Sequence, residues 1–340
     1  MKTDLMSLFP SELTDFVLSL GEPKYRASQL FSWLYKVDSF AEMKNLPKSF
    51  LAKLEETAFL DRLTVKNKLV SADGTVKYLF SLSDGELIES VFMRYKHGNT
   101  VCLSTQVGCR MGCRFCASTL KGKIRDLRPS EMLGQVLAIE KDLHETVSNL
   151  VLMGMGEPLD NYDNVVRFVR MLGEEGGVHI GMRHISLSTC GLVDRIRELA
   201  EENLQINLSL SLHAPNDDIR KQMMPIANKY SIDDVLSACR DYAEKTGRRI
   251  HIEYTVVHGV NDSPEHAREL ANRLRGMLCH VNLIPVNPIK EREFVPPDKK
   301  SVQVFAKLLN NFGICATIRR TLGEDVDASC GQLRQRALKE

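Results

Sequence analysis

Long apolar runs are missing from this chain of 340 residues. No run approaches the roughly 18 consecutive apolar residues that mark a membrane-spanning helix. Residues 1–10 also lack the basic stretch and apolar core of a secretory signal peptide. Both absences argue against a membrane or secreted protein. We therefore expect a cytoplasmic protein with no membrane partner.

A strong net charge is also missing, because 45 Lys and Arg residues face 44 Asp and Glu residues. A nucleic-acid-binding protein with this balance must use local basic patches, so a simple RNA coat protein is disfavoured. Hydrophobic residues make up 43% of the chain and charged residues 26%, as in ordinary globular proteins. At about 100–200 residues per domain, the length indicates one large domain and a smaller one.

Segment 1–60 is predicted to be helical and to form a small accessory domain. Apolar residues recur there at spacings of three and four, which is typical of the buried face of an amphipathic helix. The residues with this spacing are Tyr25, Leu30, Trp33 and Leu34.

Segment 61–98 contains two Asp-Gly pairs, Asp73-Gly74 and Asp84-Gly85. Asp-Gly between alternating apolar runs is the strongest short hairpin signal. We therefore predict an antiparallel meander that links the accessory domain to the rest of the chain. Its predicted strands are 68–71, 76–82 and 86–95.

Over residues 99–319, short apolar runs alternate with helical segments, which predicts an α/β domain of βαβ units around a parallel sheet. Six units are too few for a closed eight-stranded barrel and fit an open six-unit (β/α) partial barrel, with its site at the C-terminal strand ends. A last strand, 315–319, precedes a tail, 320–340. The six strands are predicted at 101–105, 150–153, 184–189, 206–212, 250–257 and 280–284. The helices are predicted at 130–143, 165–173, 193–201, 232–245, 264–277 and 301–312.

The nine cysteines are odd in number and partly clustered, which argues against a disulfide scaffold and favours metal or redox chemistry. Cys109, Cys113 and Cys116 follow the first barrel strand and can wrap one face of a [4Fe–4S] cubane, which ordinarily takes four cysteines. Three local ligands would leave one iron open for a small molecule. A zinc site with a distant fourth ligand, or plain buried thiols, is the alternative, although no second C-x₂-C knuckle exists.

The spacing CxxxCxxC, with the aromatic Phe115 before the last cysteine, resembles the radical S-adenosylmethionine (SAM) signature. Nearly the whole chain resembles the RlmN-type dual-specificity RNA methyltransferases, which methylate C2 of adenosine in 23S rRNA and in tRNA. The matching stretches are CLSTQVGC at 102–109, MGMGEPL at 153–159, ST at 188–189, SLHAPND at 211–217, VNLIPVNP at 281–288 and GEDVDASCGQL at 323–333. The N-terminal segment is similar to the family's RNA-binding accessory domain.

The resemblance implies one [4Fe–4S] cluster on the three cysteines, with SAM on the fourth iron and two SAM molecules used per turnover. It implies that Gly156 and Glu157 hold the SAM amino group, and a carboxylate suits an ammonium. The other implied SAM contacts all fall at strand C-termini, where a barrel site belongs. They are Ser188, Ser211, Leu212, His213 and Asn287. We also expect an external one-electron donor, such as flavodoxin or ferredoxin, and a monomer.

The resemblance further implies that Cys330 takes a methyl group from one SAM. A radical derived from the second SAM removes hydrogen from that group, and the methylene radical adds to adenine. Cys102 then attacks the sulfur of Cys330, which releases methylated RNA and leaves a Cys102–Cys330 disulfide. Glu89 is implied as the general acid/base. From the residues alone, Cys102 and Cys330 would be read first as small buried hydrophobes, and Glu89 as an ordinary outward strand residue.

Residues outside these motifs receive three further interpretations. Basic residues near the implied site predict contacts with RNA phosphates. They are Lys121, Lys123, Arg125, Arg128, Arg319 and Arg320. Cys190 lies beside Ser188 and suits a site position, whereas Cys239, Cys279 and Cys315 are expected in the core. Residues 216–218 are expected to cap a helix.

Three other functions stay open. Cfr-type enzymes methylate C8 of adenosine and share the fold and cysteines, although Val107, Pro158 and Pro285 resemble the C2 group more. Another radical-SAM enzyme acting on protein, such as a glycyl-radical activating enzyme, would have no use for the pair Cys102 and Cys330. A catalytically idle RNA-binding module is disfavoured by the intact cluster and SAM motifs.

Overall fold

The computed structural model describes residues 2–333, so Met1 and residues 334–340 of the predicted tail lie outside it. Its first part contains β1 (Thr3–Asp4), α1 (Pro10–Ser19), α2 (Tyr25–Leu34), α3 (Lys48–Thr57) and β2 (Ala58–Phe59). Helix α1 begins with Pro10, which needs no amide donor there, and Glu12 accepts a hydrogen bond from Phe9 N at 2.8 Å. These elements enclose a hydrophobic cluster of their own, in which Leu13 and Phe50 are fully buried.

Three antiparallel strands follow: β3 (Thr64–Val70), β4 (Val76–Ser81) and β5 (Leu87–Tyr95). Both predicted Asp-Gly turns are present, with Gly74 and Gly85 at φ values of +85° and +87° that favour glycine. Strand β3 starts at Thr64 rather than at residue 68. Strand β5 pairs with β6 (Gly98–Cys102), so the meander continues directly into the barrel sheet.

The ten-stranded sheet runs in the order β14-β13-β12-β11-β10-β9-β6-β5-β4-β3. Neighbours from β6 through β14 pair in parallel, which confirms the predicted α/β open partial barrel. After β6 come β7 (Gln106–Gly108), β8 (Lys123–Asp126), α4 (Pro129–Leu143), β9 (Asn149–Leu152), α5 (Tyr162–Met171), β10 (Ile185–Thr189), α6 (Val193–Glu201), β11 (Asn207–Ser211), α7 (Asp217–Met223), α8 (Ile232–Thr246), β12 (Ile250–Val256), α9 (Pro264–Leu274), β13 (Cys279–Pro285), α10 (Lys299–Asn311) and β14 (Ala316–Ile318).

The barrel strands alternate between an apolar outer face and a polar inner face. In β12, Ile252 and Tyr254 belong to the main hydrophobic core, whereas Glu253 and Thr255 line an internal cavity. Parallel strands covered on both faces are usually apolar throughout. The polar inner face therefore indicates that the barrel interior has a chemical role.

Three local features differ from the sequence prediction. The first barrel strand ends at Cys102 rather than at residue 105, because the chain turns where Ser104 Oγ donates to Glu89 O at 2.6 Å. Strand β8 and helix α7 were not predicted. The predicted helix cap is confirmed for Asn216, whose side chain accepts from Ile219 N, while Asp217 and Asp218 lie in the first turn of α7. None of the helices between residues 2 and 333 is long and apolar enough to cross a membrane.

Candidate active site

The three motif cysteines lie in the loop between β7 and β8. Main-chain hydrogen bonds shape this cluster loop: Cys109 N donates to Gly122 O at 3.0 Å, and Cys116 N donates to Cys113 O at 3.1 Å. All three thiols line one cavity, which we call the main cavity. The fold thus brings the predicted cluster ligands together.

Burial raises the pKa of all three thiols, to about 12 for Cys109. A thiol must lose its proton to bind iron, so a bound metal has to supply the compensating charge. Within residues 2–333, no three or more His, Cys, Asp or Glu surround one metal-ion position. A cubane makes a different demand, because each cysteine binds a separate iron corner. The three thiols therefore fit a cubane better than a single zinc ion.

Gly156 and Glu157 follow β9 and line the main cavity. Gly156 has φ +108°, and a Cβ there would lie 2.7 Å from Gln106 Cβ, so only glycine fits. Glu157 is buried, and its carboxylate accepts from Cys190 N at 2.8 Å and Leu159 N at 3.1 Å. Burial raises the pKa of Glu157 despite these bonds. The fixed carboxylate retains lone pairs that can accept from an ammonium group.

Polar residues at the ends of β10 and β11 also line the main cavity. Ser188 Oγ and Ser211 Oγ are 3.3 Å apart. His213 Nδ1 accepts from Thr255 N at 2.9 Å, and the edge of its ring meets Phe115 with 4.8 Å between centroids. Burial lowers the pKa of His213 to about 3, so the ring is neutral. These side chains form a neutral, hydrogen-bonding wall opposite the cluster loop.

Two predicted SAM contacts have other partners in the protein. The Leu212 side chain is fully buried in the main core, and its N–H donates to Glu253 O at 3.1 Å. Only main-chain atoms of Leu212 can therefore face a ligand. Asn287 lines the main cavity, and its Nδ2 donates to the carbonyl oxygen of Cys330 at 2.9 Å. Its amide thus holds the main chain of the predicted nucleophile.

Cys330 lines the main cavity and, with Cys102, an adjoining one that we call the thiol cavity. Arg319 lines both cavities. Burial raises the pKa of Cys102 to about 12; the nearby Cys330 adds to this rise, and Arg319 opposes it. Cys330 in turn raises the pKa of Arg319. The two distant cysteines therefore share one cavity with a guanidinium, whose charge favours the thiolate form.

Glu89 on β5 is only 3% exposed, so the reading as an outward strand residue is wrong. Lys77 on the neighbouring β4 places its Nζ 3.1 Å from Glu89 Oε1. The same Nζ donates to the main-chain oxygen of Asp327 at 3.0 Å. One buried ammonium therefore joins the predicted general acid/base to the tail that carries Cys330.

The tail, residues 320–333 as described, is seated on the turn between β3 and β4. Ser71 Oγ and Ala72 N donate to the Asp325 carboxylate at 2.5 and 3.1 Å. Gly323 N donates to Asp73 Oδ2 at 2.9 Å. Hydrogen bonds from Gly323 and from within the turn lower the pKa of Asp73 to about 2, although partial burial acts the other way. The predicted Asp-Gly turn thus provides a docking surface as well as reversing the chain.

The other side of the tail meets the cluster loop. Ala117 N donates to Gly331 O at 2.7 Å, directly after Cys116 and beside Cys330. Ser118 Oγ donates to Leu333 O at 2.7 Å. One main-chain and one side-chain hydrogen bond therefore hold the cluster loop against the segment that contains Cys330.

Three of the six residues predicted to contact phosphate pair with carboxylates in the folded protein, and their contact with RNA stays a prediction. The partners Asp61 and Glu131 are almost fully buried, so moving the cations away would leave buried charges uncompensated. Arg319 faces the barrel interior, where it lines the main cavity and the thiol cavity. Lys121 and Arg320 lie at exposed positions and stay predictions. The carboxylate pairs are Lys123–Asp160, Arg125–Glu131 and Arg128–Asp61, at 2.9, 2.8 and 2.8 Å.

The remaining cysteines divide between site, core and surface. Cys190 lines the main cavity, and Cys239 is fully buried, as expected. Cys279 is partly buried against the core. The core prediction is wrong for Cys315, which is exposed because it precedes β14, the edge strand of the sheet.

Sequence reasoning missed Glu253 and misjudged Arg319, both of which line the main cavity. The alternation in β12 could have placed Glu253 on the inner face with Thr255. No local sequence signal could have placed Arg319 beside Cys102, since the two residues are far apart in the sequence and come together only in the folded sheet.

Two family models match the chain. The radical SAM superfamily matches residues 103–271, and the ribosomal RNA large subunit methyltransferase N-terminal domain matches residues 3–60. The first covers the cluster loop and most barrel strands. The second covers helices α1 to α3.

Curated relatives are similar over nearly the full length. A probable dual-specificity RNA methyltransferase RlmN from Lachnospira eligens is 53% identical over 99% of this chain and 97% of that protein. One from Clostridium perfringens (strain 13 / Type A) is 53% identical over 96% of this chain and 95% of that protein. The crystal structure of a radical SAM methyltransferase from Sphaerobacter thermophilus superposes with a TM-score of 0.94 at 44% identity, covering 98% of this chain and 100% of that chain.

Proposed function

Because the chain belongs to the RlmN family of radical-SAM RNA methyltransferases, we propose that it methylates C2 of adenosine in two RNAs. These are 23S rRNA, in the peptidyl-transferase region, and tRNA, on the 3′ side of the anticodon. One observation carries the proposal: Cys330 borders both the main cavity and the thiol cavity of Cys102. A single sulfur can then face SAM on one side and a resolving thiol on the other.

The chain would hold its cofactors with residues of the main cavity. Cys109, Cys113 and Cys116 bind the cluster, and Gly156 and Glu157 orient the SAM amino group. When bound, the [4Fe–4S] cluster supplies the electron that cleaves SAM to a 5′-deoxyadenosyl radical and methionine. We propose flavodoxin or ferredoxin as the electron donor and a monomer as the active form.

Each residue around the two sulfurs then has one task. Cys330 accepts a methyl group from SAM as a thiolate, and its methyl carbon, after loss of a hydrogen atom, bonds to C2 of adenine. The resulting radical adduct would give up one electron, which the oxidised cluster can take back, and its C2 proton, which Glu89 accepts. The Cys102 thiolate then attacks the sulfur of Cys330 and breaks its bond to the transferred carbon. That carbon takes a proton and leaves as the methyl group of the free base, and a Cys102–Cys330 disulfide remains. Arg319 favours the thiolate forms. Asn287 holds the Cys330 main chain through its 2.9 Å bond.

RNA contacts beyond the target base are proposed for helices α1 to α3 and for the exposed Lys121 and Arg320. The target adenine must leave its stack to reach Cys330, so a loop or flipped base is expected. Phosphate contacts fix the register of such a base without reading its sequence.

The test is incubation of the reconstituted enzyme with SAM, a reductant and unmodified 23S rRNA or tRNA. Mass spectrometry of the nucleosides should detect 2-methyladenosine from both RNAs. RNA from cells that lack the protein should lose this nucleoside. A main product of 8-methyladenosine would support the Cfr-type function instead, and methylation of a protein with no RNA product would support the protein-directed alternative.

A further inference from the structure

Glu253 is a buried residue, and one oxygen of its carboxylate accepts no hydrogen bond from the described residues. The residue is 3% exposed, and its Oε1 accepts from Asn282 Nδ2 at 2.9 Å. Among the described residues, its Oε2 has no hydrogen-bond donor. The nearest cation, Arg319 Nη1, lies 3.7 Å from Oε2, which is too far for a hydrogen bond.

A buried carboxylate oxygen without a hydrogen-bond donor is costly, because it has lost its water and the attraction of a cation 3.7 Å away replaces only part of that solvation. Such atoms in native proteins call for an explanation, and a ligand donor is one. A carboxylate offers about four acceptor positions, of which Asn282 fills one. The position of Oε2 therefore predicts a ligand that donates a hydrogen bond inside the barrel.

The surroundings of Glu253 restrict that ligand. Glu253 lines the main cavity, where its strand partner in the register of β11 and β12 is Ser211. On its other side is Arg319, whose guanidinium lies beside Cys330. Glu253 thus stands between a residue expected to contact SAM and the sulfur expected to react with it.

We propose that Glu253 binds the ribose of SAM, with Oε2 accepting a hydrogen bond from a ribose hydroxyl. This inference rests on the proposed function, in which the SAM carbon that takes hydrogen from the Cys330 methyl group is C5′ of the ribose. The ribose must then lie next to Cys330, within the space that Glu253 and Ser211 border. Arg319 is a positioning residue in this scheme, since it orients the Glu253 carboxylate and does not itself contact the ribose hydroxyl.

The proposal is tested by equilibrium binding of SAM and of its 2′-deoxy and 3′-deoxy analogues to enzyme with a reconstituted cluster. A hydrogen bond to a charged group is worth on the order of 10- to 100-fold in affinity, so wild type should bind one deoxy analogue that much more weakly than SAM. Glu253→Ala should bind SAM more weakly by a similar factor and no longer distinguish the analogue. Iron content per chain shows whether each variant is folded.

Two further variants keep the test decisive. Glu253→Gln keeps the side-chain volume but loses the charge, and it should show a smaller discrimination than wild type. Glu140→Ala removes a partly buried carboxylate on the outer helix α4 that accepts from Val147 N, and it should bind all ligands as wild type does.

Four results would overturn the proposal. The first is a Glu253→Ala variant in which the ratio of the affinities for SAM and for the deoxy analogue is the same as in wild type. The second is an affinity for SAM that is unchanged in both Glu253 variants. Unchanged SAM affinity with weakened RNA binding would place the target adenine, not SAM, at Oε2. A wild-type enzyme that binds no SAM would overturn both this proposal and the proposed function. Normal ribose discrimination with 8-methyladenosine as product would overturn only the function.

Discussion

Lys77 and Glu89 form a buried ion pair across β4 and β5, with 3.1 Å between Nζ and Oε1. Their side chains are 9% and 4% exposed. Since Lys77 also donates to Asp327 O, the general acid/base of the proposed reaction and the tail of its nucleophile share one cation. The geometry of the reaction is therefore tied to the strand register of the meander.

Replacing Lys77 with Met should destabilise the protein by about 3–5 kcal/mol, because removal of one partner leaves a buried charge without its counter-ion. Urea unfolding measures this. Lys68→Met is the matched control on β3: its pair with Asp142 is one-third exposed on each side, so its loss should cost less than about 1 kcal/mol. Equal costs for both variants would contradict the role of burial.

Substitutions of the two cysteines of the thiol cavity should stop the reaction at different steps. Cys330→Ala should form no product and no adduct, because it has no methyl acceptor. Cys102→Ala should carry out radical addition but not release, so a covalent protein–RNA adduct should accumulate as a slow band on a denaturing gel. The double variant should form no adduct. A Cys102→Ala enzyme that turns over normally would refute the two-cysteine mechanism.

Single substitution of Cys109, Cys113 or Cys116 by Ala should abolish the cluster, since in the proposed site each would bind a separate iron corner. Iron and sulfide analysis of anaerobically prepared protein measures this. Cys239→Ala is the control, because Cys239 is fully buried in the core and away from the main cavity. Stoichiometric zinc without iron in the wild type would support a zinc site instead.

Asp73→Ala should loosen the tail, because it removes the acceptor of Gly323 N. Hydrogen exchange of residues 323–333 should quicken, and product formation should slow with it. Asp84→Ala alters the other Asp-Gly turn, whose carboxylate binds Arg125 instead, and exchange in the tail should stay unchanged. Identical exchange in both variants would show that the turn between β3 and β4 does not seat the tail.

His251 should make the fold sensitive to mild acid. Burial, helped by Arg249 and His280, lowers the pKa of His251 to about 4. The folded state thus binds fewer protons than the unfolded state, where the pKa is about 6.5, so stability should fall as pH drops from about 6.5 towards 4. His251→Asn should flatten this part of the curve of unfolding free energy against pH. An unchanged difference between wild type and variant across the range would exclude the effect.

Periodicity was sufficient to predict the barrel. The alternation of apolar runs and helical stretches predicts the six parallel strands that the sheet contains, and both Asp-Gly pairs form turns. Polar residues at strand ends converge because parallel strands end at one edge. Ser188 and Ser211, which belong to different strands, are accordingly 3.3 Å apart.

Contacts set by tertiary structure alone could not be predicted. Arg125 follows the cluster loop, and folding pairs it with Glu131 and Asp84, which no local pattern indicates. Glu89 lies in a strand whose residues 88–93 are all buried, and its partner Lys77 on β4 also holds the tail at Asp327. Cysteine is usually a small buried hydrophobe, so the sequence places Cys315 in the core. Its exposure follows from the edge location of β14.

The seat of the tail also sets an order of assembly. Ser71 and Asp325 are separated by 254 positions, and Ser118 and Leu333 by 215. Contacts between such distant positions form late, since a long loop must first be closed, and ribosomes complete the turn and the cluster loop well before the tail. During synthesis, the three cluster-loop thiols are therefore made before Cys330. If Cys330 accepts the methyl group as proposed, that sulfur becomes available only after the scaffold around it has been built.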